Sequence, residues 1–213
     1  MPKAQLYHFS HLEYNTMNLA LARTYILERL TKELSPTFSY HHVNHTLAVA
    51  KRAQEIALSE GISDEESLVL LATACYFHDS GFLVSYDNHE DFSCQIVEEI
   101  LPSCGYNAAQ ISVIKNLIKA TKIPQSPDNL LSKILCDADL DYLGGANYYT
   151  IVETLHQELL YFERLNSNQN WTQIQIDFLE KHSYFTSTNQ KERTEEKNRR
   201  IEELRLSQDT SKG

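Results

Sequence analysis

Residues that break helices or crosslink chains are scarce in this sequence. Its 213 residues include only six glycines and five prolines, a composition typical of an ordinary folded, mostly helical protein. No internal repeat is visible. The cysteines form no Cys-x-x-Cys pair and lie in apolar stretches, so we expect reduced thiols in the core rather than a metal or redox pair. They are Cys75, Cys94, Cys104 and Cys136.

Long apolar segments are also missing. No stretch approaches the roughly 20 apolar residues of a membrane-spanning helix. The segment Met1–Phe9 lacks the apolar core of a signal peptide. We therefore expect a cytoplasmic protein of one domain with no membrane partner.

The sequence has no excess of positive charge. Its formal net charge of −10 argues against a nucleic-acid polymer as partner, because such proteins need a basic surface. No glycine-rich phosphate loop and no alternating strand pattern occur. A small phosphorylated substrate stays compatible with this charge, since it needs only a few cations and a metal.

Apolar residues recur at helical spacing through most of the chain, which predicts an all-α fold. The predicted helices span about 12–34, 45–61, 63–79, 89–101, 107–120, 131–140, 148–165 and 172–182. The stretch 190–206 is rich in Lys, Arg and Glu, and its charge pattern predicts a solvated helix or partial disorder.

The dipeptide His78-Asp79 closes the apolar run Leu68–Phe77. Burying an imidazole and a carboxylate without partners is costly, and a bound metal ion would compensate that cost. The alternative is that both residues end a helix and hydrogen-bond to each other. Further candidate ligands lie on two other predicted helices: His45 before the pair, and Asp137 or Asp139 after it.

Two imidazoles and two carboxylates form a donor set that suits Mn, Fe, Mg, Co or Ni. A structural zinc site would favour thiolates. The set therefore predicts a divalent metal ion with room left for water.

The order His45, His78-Asp79 and then an Asp within Asp137–Leu140 resembles the signature of HD-domain metal-dependent phosphohydrolases. The segment Tyr40–His45 also resembles the Tyr-His-x-x-x-His segment of that superfamily, including its cyclic-nucleotide phosphodiesterase branch. The similarity is greatest to the stand-alone bacterial type. It covers about 39–145 and implies an HD-domain helical bundle.

The rest of the chain lies outside the resemblance. There the residue patterns predict an N-terminal helix at about 12–34, a C-terminal helical extension at about 146–206 and a disordered tail at 207–213.

By resemblance, His45, His78, Asp79 and Asp139 are the metal ligands. The family pattern Ala-Asp-x-Leu selects Asp139 over Asp137, although Leu140-Asp141 follows where the family has Arg-Leu. The resemblance implies hydrolysis of a phosphate monoester or diester, such as a nucleotide, by a metal-activated water.

Residues near these four ligands are assigned further roles in hydrolysis. His41 would protonate the leaving oxygen and Asp79 would orient the water. His89 and Glu90 would contact the substrate or merely begin a helix, and Lys122 would bind phosphate. One ion would bind firmly, and His89 decides whether a second can bind.

Two alternatives to hydrolysis stay open at this point. One is a di-iron HD-type oxygenase, which would need more histidines than this chain offers between the His-Asp pair and the final Asp. The other is a non-catalytic HD-fold ligand sensor. The sequence predicts no oligomeric state.

Overall fold

The computed structural model describes residues 17–210 and consists of α-helices joined by short connections. No β-strand occurs within this range, which confirms the all-α fold class. The helices are α1 (Leu19–Glu33), α2 (Val43–Ser59), α3 (Glu65–Phe77), α4 (His89–Ile100), α5 (Ala108–Ala120), α6 (Leu130–Asp139), α7 (Tyr148–Tyr161), α8 (Trp171–Lys181) and α9 (Ser187–Thr210). Short 3-10 turns span Ser80–Leu83, Leu101–Cys104 and Asp141–Gly144.

Polar side chains begin several of these helices. The Asp64 carboxylate accepts the Ser67 N–H at the start of α3. Asn107 forms a reciprocal capping box with Gln110 at the start of α5. Such caps pair backbone N–H groups that have no partner within the helix. Most predicted boundaries therefore lie within a few residues of the observed ones, whereas α7 ends four residues before the predicted end at 165.

Two hydrophobic clusters lie in the interior of the described chain. Residues from α1 to α6 build the larger cluster, with α3 packed against α1, α2, α5 and α6. The smaller cluster is built by the turn after α6 together with α7, α8 and α9. The His78-Asp79 pair follows the buried helix α3, so packing of the larger cluster determines where the pair lies.

The charged helix α9 packs more closely than its composition predicts. Ile201 and Leu204 are buried on its inner face. The Lys197 ammonium group donates to the carbonyl oxygens of Leu179 (2.8 Å) and His182 at the end of α8. The prediction of a solvated or partly disordered helix is therefore wrong for this inner face, because carbonyl partners stabilise the buried cation.

Asp137 connects α6 to the segment before α9. Its carboxylate accepts hydrogen bonds from the Phe185 N–H (2.8 Å), the Thr186 N–H (2.8 Å) and the Thr186 hydroxyl (2.6 Å). The side chain is fully buried. Both carboxylate oxygens of Asp137 are therefore used to hold the segment before α9 against α6.

The proposed division of the chain into core, extension and tail stays a prediction. Part of the expected N-terminal helix, residues 12–16, lies outside the described residues, as do residues 211–213 of the expected tail. The described part of that tail, residues 207–210, continues α9 as helix. Between residues 17 and 210, no helix is both long and apolar enough to cross a membrane.

We predict that Asp137→Ala destabilises the fold without removing a metal ligand. The change leaves the buried N–H of Thr186 and the N–H of Phe185 without their acceptor, which costs about 3 kcal/mol in total. Urea denaturation should show this loss in the free energy of unfolding. Asp177→Ala, on the exposed face of α8, is the matched control and should change it by less than about 0.5 kcal/mol. Equal stability of the two variants would contradict the role of Asp137.

Candidate metal centre

A tight turn after α3 fixes the position of the His-Asp pair. The Ser93 hydroxyl donates to the His78 carbonyl oxygen (2.7 Å) and accepts the Gly81 N–H (2.7 Å). A methyl group on Gly81 would lie 1.8 Å from the carbonyl oxygen of His89, so only glycine fits there. The first turn of α4 consequently packs directly on the turn that carries Asp79.

The His78 ring has a defined orientation and tautomer. Its Nδ1 lies 2.8 Å from the Cys75 carbonyl oxygen, which can only accept, so Nδ1 carries the hydrogen. In the neutral ring Nε2 then presents a lone pair. Nε2 lies 3.1 Å from Asp79 Oδ2, and neither atom has a hydrogen-bond partner although both are buried. Two acceptor atoms that face each other in this way fit a cation between them.

Two more candidate ligands approach these two atoms: His45 from α2 and Asp139 from the end of α6. His45 Nε2 lies 3.3 Å from Asp79 Oδ2 and 3.1 Å from Asp139 Oδ1. Asp139 Oδ1 also lies 3.5 Å from His78 Nε2. His45, His78 and Asp79 each offer one possible ligand atom, and these three atoms lie within 4.8 Å of one another. The four predicted ligands therefore come together, and Asp139 rather than Asp137 faces the histidines.

The charges of this cluster shift its protonation equilibria. Burial lowers the pKa of His45 and of His78, but the carboxylates of Asp79 and Asp139 outweigh burial and raise both values above the ordinary range. Burial likewise raises the pKa of Asp139, yet hydrogen bonds and charge from the two histidines hold it well below its usual value. Protons and a divalent cation thus compete for the same donor atoms.

His41 lies beside the cluster and is held by a residue that the sequence reading missed. Its Nδ1 hydrogen-bonds to Oε1 of Glu158, a fully buried side chain of α7. The other oxygen of Glu158 accepts the backbone N–H groups of Tyr40 (2.8 Å) and His41 (3.0 Å). No local signal marks this residue, because Glu158 directly follows two other polar residues of α7, His156 and Gln157.

The tentative substrate contacts divide into two groups. His89 Nε2 lies 3.5 Å from Asp79 Oδ1 and 3.6 Å from Glu90 Oε1, so His89 lies between the second oxygen of Asp79 and the Glu90 carboxylate. Both line a cavity that also contacts His41 and Asp139. Lys122 does not line it, and its ammonium group donates to Asn88 Oδ1 (3.2 Å) at the surface.

We predict that His45→Asn removes bound metal and that His42→Asn does not. His45 contributes a donor atom to the cluster, whereas His42 caps α2 through the Asn44 N–H, a contact that Asn can replace. Loss of one ligand should lower Mn²⁺ affinity at least about 100-fold, since loss of supporting residues alone costs about 10- to 100-fold. Metal analysis after equilibrium dialysis measures this. Equal metal content in both variants would rule out His45 as a ligand.

We also predict that Mn²⁺ affinity rises with pH from about 6 to about 8. Below the raised pKa values of His45 and His78 the metal-free rings hold protons, and binding must displace them. Calorimetry in buffers of different ionisation enthalpy should detect protons released per ion bound. An affinity independent of pH, with no proton release, would contradict this ligand set.

Comparison with known proteins agrees with this geometry. Residues 43–141 match the family model of the HD domain. A protein of Clostridium beijerinckii, described as uncharacterized, is 36% identical over 95 residues, which cover 43% of this chain and 59% of that protein. No solved structure matches the chain significantly. The segment that resembles the HD domain, residues 43–141, includes His45, His78, Asp79 and Asp139.

Proposed function

We propose that the chain is a metal-dependent hydrolase of phosphate monoesters or diesters. The carrying observation is the buried contact between His78 Nε2 and Asp79 Oδ2, neither of which has a hydrogen-bond partner, beside a cavity that also contains His41. Proteins of the HD-domain superfamily are mostly metal-dependent phosphohydrolases, which supports the assignment. The substrate is a small phosphorylated molecule rather than a nucleic-acid polymer, consistent with the net charge of −10.

Mn, Fe, Mg, Co or Ni suits the donor set of two imidazoles and two carboxylates. The four residues that would hold the ion are His45, His78, Asp79 and Asp139. When bound, a divalent ion would polarise a phosphoryl oxygen and lower the pKa of a bound water, so that hydroxide is available as the nucleophile near neutral pH. The two carboxylates balance the charge of such an ion.

The surrounding side chains have separate tasks. Asp79 offers Oδ2 to the ligand cluster and directs Oδ1 toward His89, so Oδ1 can orient a nucleophilic water. Glu158 holds Nδ1 of His41, which leaves Nε2 to donate a proton to the leaving oxygen. Glu158 thus acts as a positioning residue for His41.

A second ion would have to bind on the other side of Asp79, where His89 Nε2 lies 3.5 Å from Asp79 Oδ1 and 3.6 Å from Glu90 Oε1. Burial lowers the pKa of His89, which keeps its ring neutral and available as a ligand. Only one histidine serves this position, so we propose one firmly bound ion.

We predict that His41→Ala lowers kcat about 100- to 10,000-fold while metal content stays unchanged, because it removes a proton donor but no ligand. The measurement is hydrolysis of a panel of phosphate monoesters and diesters in the presence of Mn²⁺, followed as inorganic phosphate for the monoesters and as released alcohol for the diesters. Glu158→Gln should retain metal and lower kcat less than His41→Ala does, because it weakens the hydrogen bond that orients the His41 ring without removing the ring. Asp139→Asn should lose both metal and hydrolysis.

His42→Asn is the matched control in these assays and should behave as wild type. The proposal fails if wild type hydrolyses no monoester and no diester of the panel with any of the five metals. It fails equally if Asp139→Asn hydrolyses the panel as fast as wild type. Dioxygen consumption by the iron-loaded protein would instead favour the oxygenase alternative.

A further inference from the structure

A cavity of about 340 Å³ extends from the metal centre between α7 and α8. Asp79 and Asp139 line one end of it. Leu143, Tyr148 and Leu179, each at most 2% exposed, line it where it is most deeply buried. Its volume lies near the lower limit of small-molecule sites, which measure about 300–1,000 Å³. The space therefore fits a compact group attached to whatever binds at the metal centre.

Aliphatic and aromatic side chains form most of the wall. Those contributed by α7 and α8 include Val152, Leu155, Leu159, Ile174, Phe178 and Leu179. The few polar groups in the deep part already bind each other: the Tyr148 hydroxyl donates to Gln175 Oε1 (3.1 Å), and Gln175 Nε2 donates to the Trp171 carbonyl oxygen (3.4 Å). The edge of a nucleobase would find few free partners there and would lose most of its hydrogen bonds to water.

Positive charge is missing from this wall. Among the described residues 17–210, no lysine or arginine lines the cavity, whereas the carboxylates of Asp79, Glu90 and Asp139 do. A chain of several phosphates would face these carboxylates without any side-chain cation to pair with it. The cavity accordingly disfavours a nucleoside polyphosphate.

The other opening beside the metal centre does not supply the missing cations. It contains Arg52 and Arg193, but both guanidinium groups are already paired. Each donates through Nε to Asp141 Oδ1, at 2.7 and 2.9 Å, and Arg52 also pairs with Glu192 at 2.7 Å. These arginines stabilise the contact between α2, the turn after α6 and α9.

From these contacts we infer that the substrate bears a single phosphoryl group whose ester substituent is an apolar alkyl or aryl group, and that this substituent occupies the cavity. The inference rests on the proposed phosphohydrolase function and narrows its substrate class. The phosphoryl group binds at the metal centre, and the apolar substituent displaces water from the wall formed by α7 and α8.

Binding can be tested without turnover, because Trp171 is the single tryptophan of the chain and lines the cavity. Its fluorescence in the Mn²⁺-loaded protein is titrated with methyl-, butyl- and hexylphosphonate, which resist hydrolysis. We expect Kd to fall about fourfold per added methylene, or ~0.8 kcal/mol each. Tripolyphosphate, as comparator, should bind more weakly than hexylphosphonate. A Kd that stays flat along the series, or tighter binding of tripolyphosphate, would overturn the inference.

Turnover provides the second arm, with methyl, butyl and hexyl phosphate as substrates. In wild type, kcat/KM should rise with chain length. Leu155→Trp fills part of the cavity and should lower the ratio of kcat/KM for hexyl over methyl phosphate at least tenfold. The same substitution at the exposed Leu21 on α1 is the matched control and should keep the wild-type ratio.

The binding and turnover experiments together distinguish failure of the inference about the apolar substituent from failure of the proposed phosphohydrolase function. Binding that tightens with chain length, without hydrolysis of any ester, would support the apolar cavity and refute the phosphohydrolase. Hydrolysis of the esters with no preference for chain length, together with flat binding, would refute the cavity inference alone. The cavity inference would also be overturned if wild type prefers longer chains and Leu155→Trp keeps the wild-type ratio of kcat/KM for hexyl over methyl phosphate.

Discussion

A buried imidazole nitrogen that faces a buried carboxylate oxygen is the constraint on which the metal centre depends. His78 Nε2 and Asp79 Oδ2 lie 3.1 Å apart, and neither has a hydrogen-bond partner. Packing of the apolar helix α3 fixes this contact, because the pair directly follows that helix. Only a proton or a cation shared between the two atoms offsets the cost of their burial. His45 and Asp139 then complete a donor set whose two carboxylates match the charge of a divalent ion.

The C-terminal helices turn the ligand cluster into a candidate active site. The HD-domain match ends at residue 141, yet Glu158 on α7 supplies the carboxylate that orients His41. The same helix forms a wall of the cavity together with α8. In the proposed mechanism, the ion is therefore held by residues within the HD-domain match, whereas the orientation of His41 and the wall of the cavity depend on the helices that follow it.

Much of the fold was predictable because its signals are local. Apolar spacing together with caps such as Asp64 and Asn107 determines where helices begin, and these signals are visible in a short window of sequence. The proximity of the four candidate ligands was predictable as a set, since His45, His78-Asp79 and Asp139 occur in a recognisable order. The structure adds the reason why Asp139 faces the site: Asp137 is occupied by Phe185 and Thr186.

What sequence reasoning missed depends on contacts between distant parts of the chain. Glu158 binds His41 across 117 positions, and no local pattern predicts that pairing. The inner face of α9 is buried because carbonyl groups at the end of α8 accept from Lys197, which the charge pattern alone could not show. Lys122, which was expected to bind phosphate, contacts Asn88 instead. Each case was decided by tertiary packing.

The central claim is that these side chains together bind one divalent ion. Anomalous diffraction from crystals grown with Mn²⁺ tests it most directly. We predict a single strong peak within about 2.5 Å of His45 Nε2, His78 Nε2 and one carboxylate oxygen each of Asp79 and Asp139. Density that shows no peak there, with His78 Nε2 hydrogen-bonded directly to Asp79 Oδ2 in saturating Mn²⁺, would contradict it.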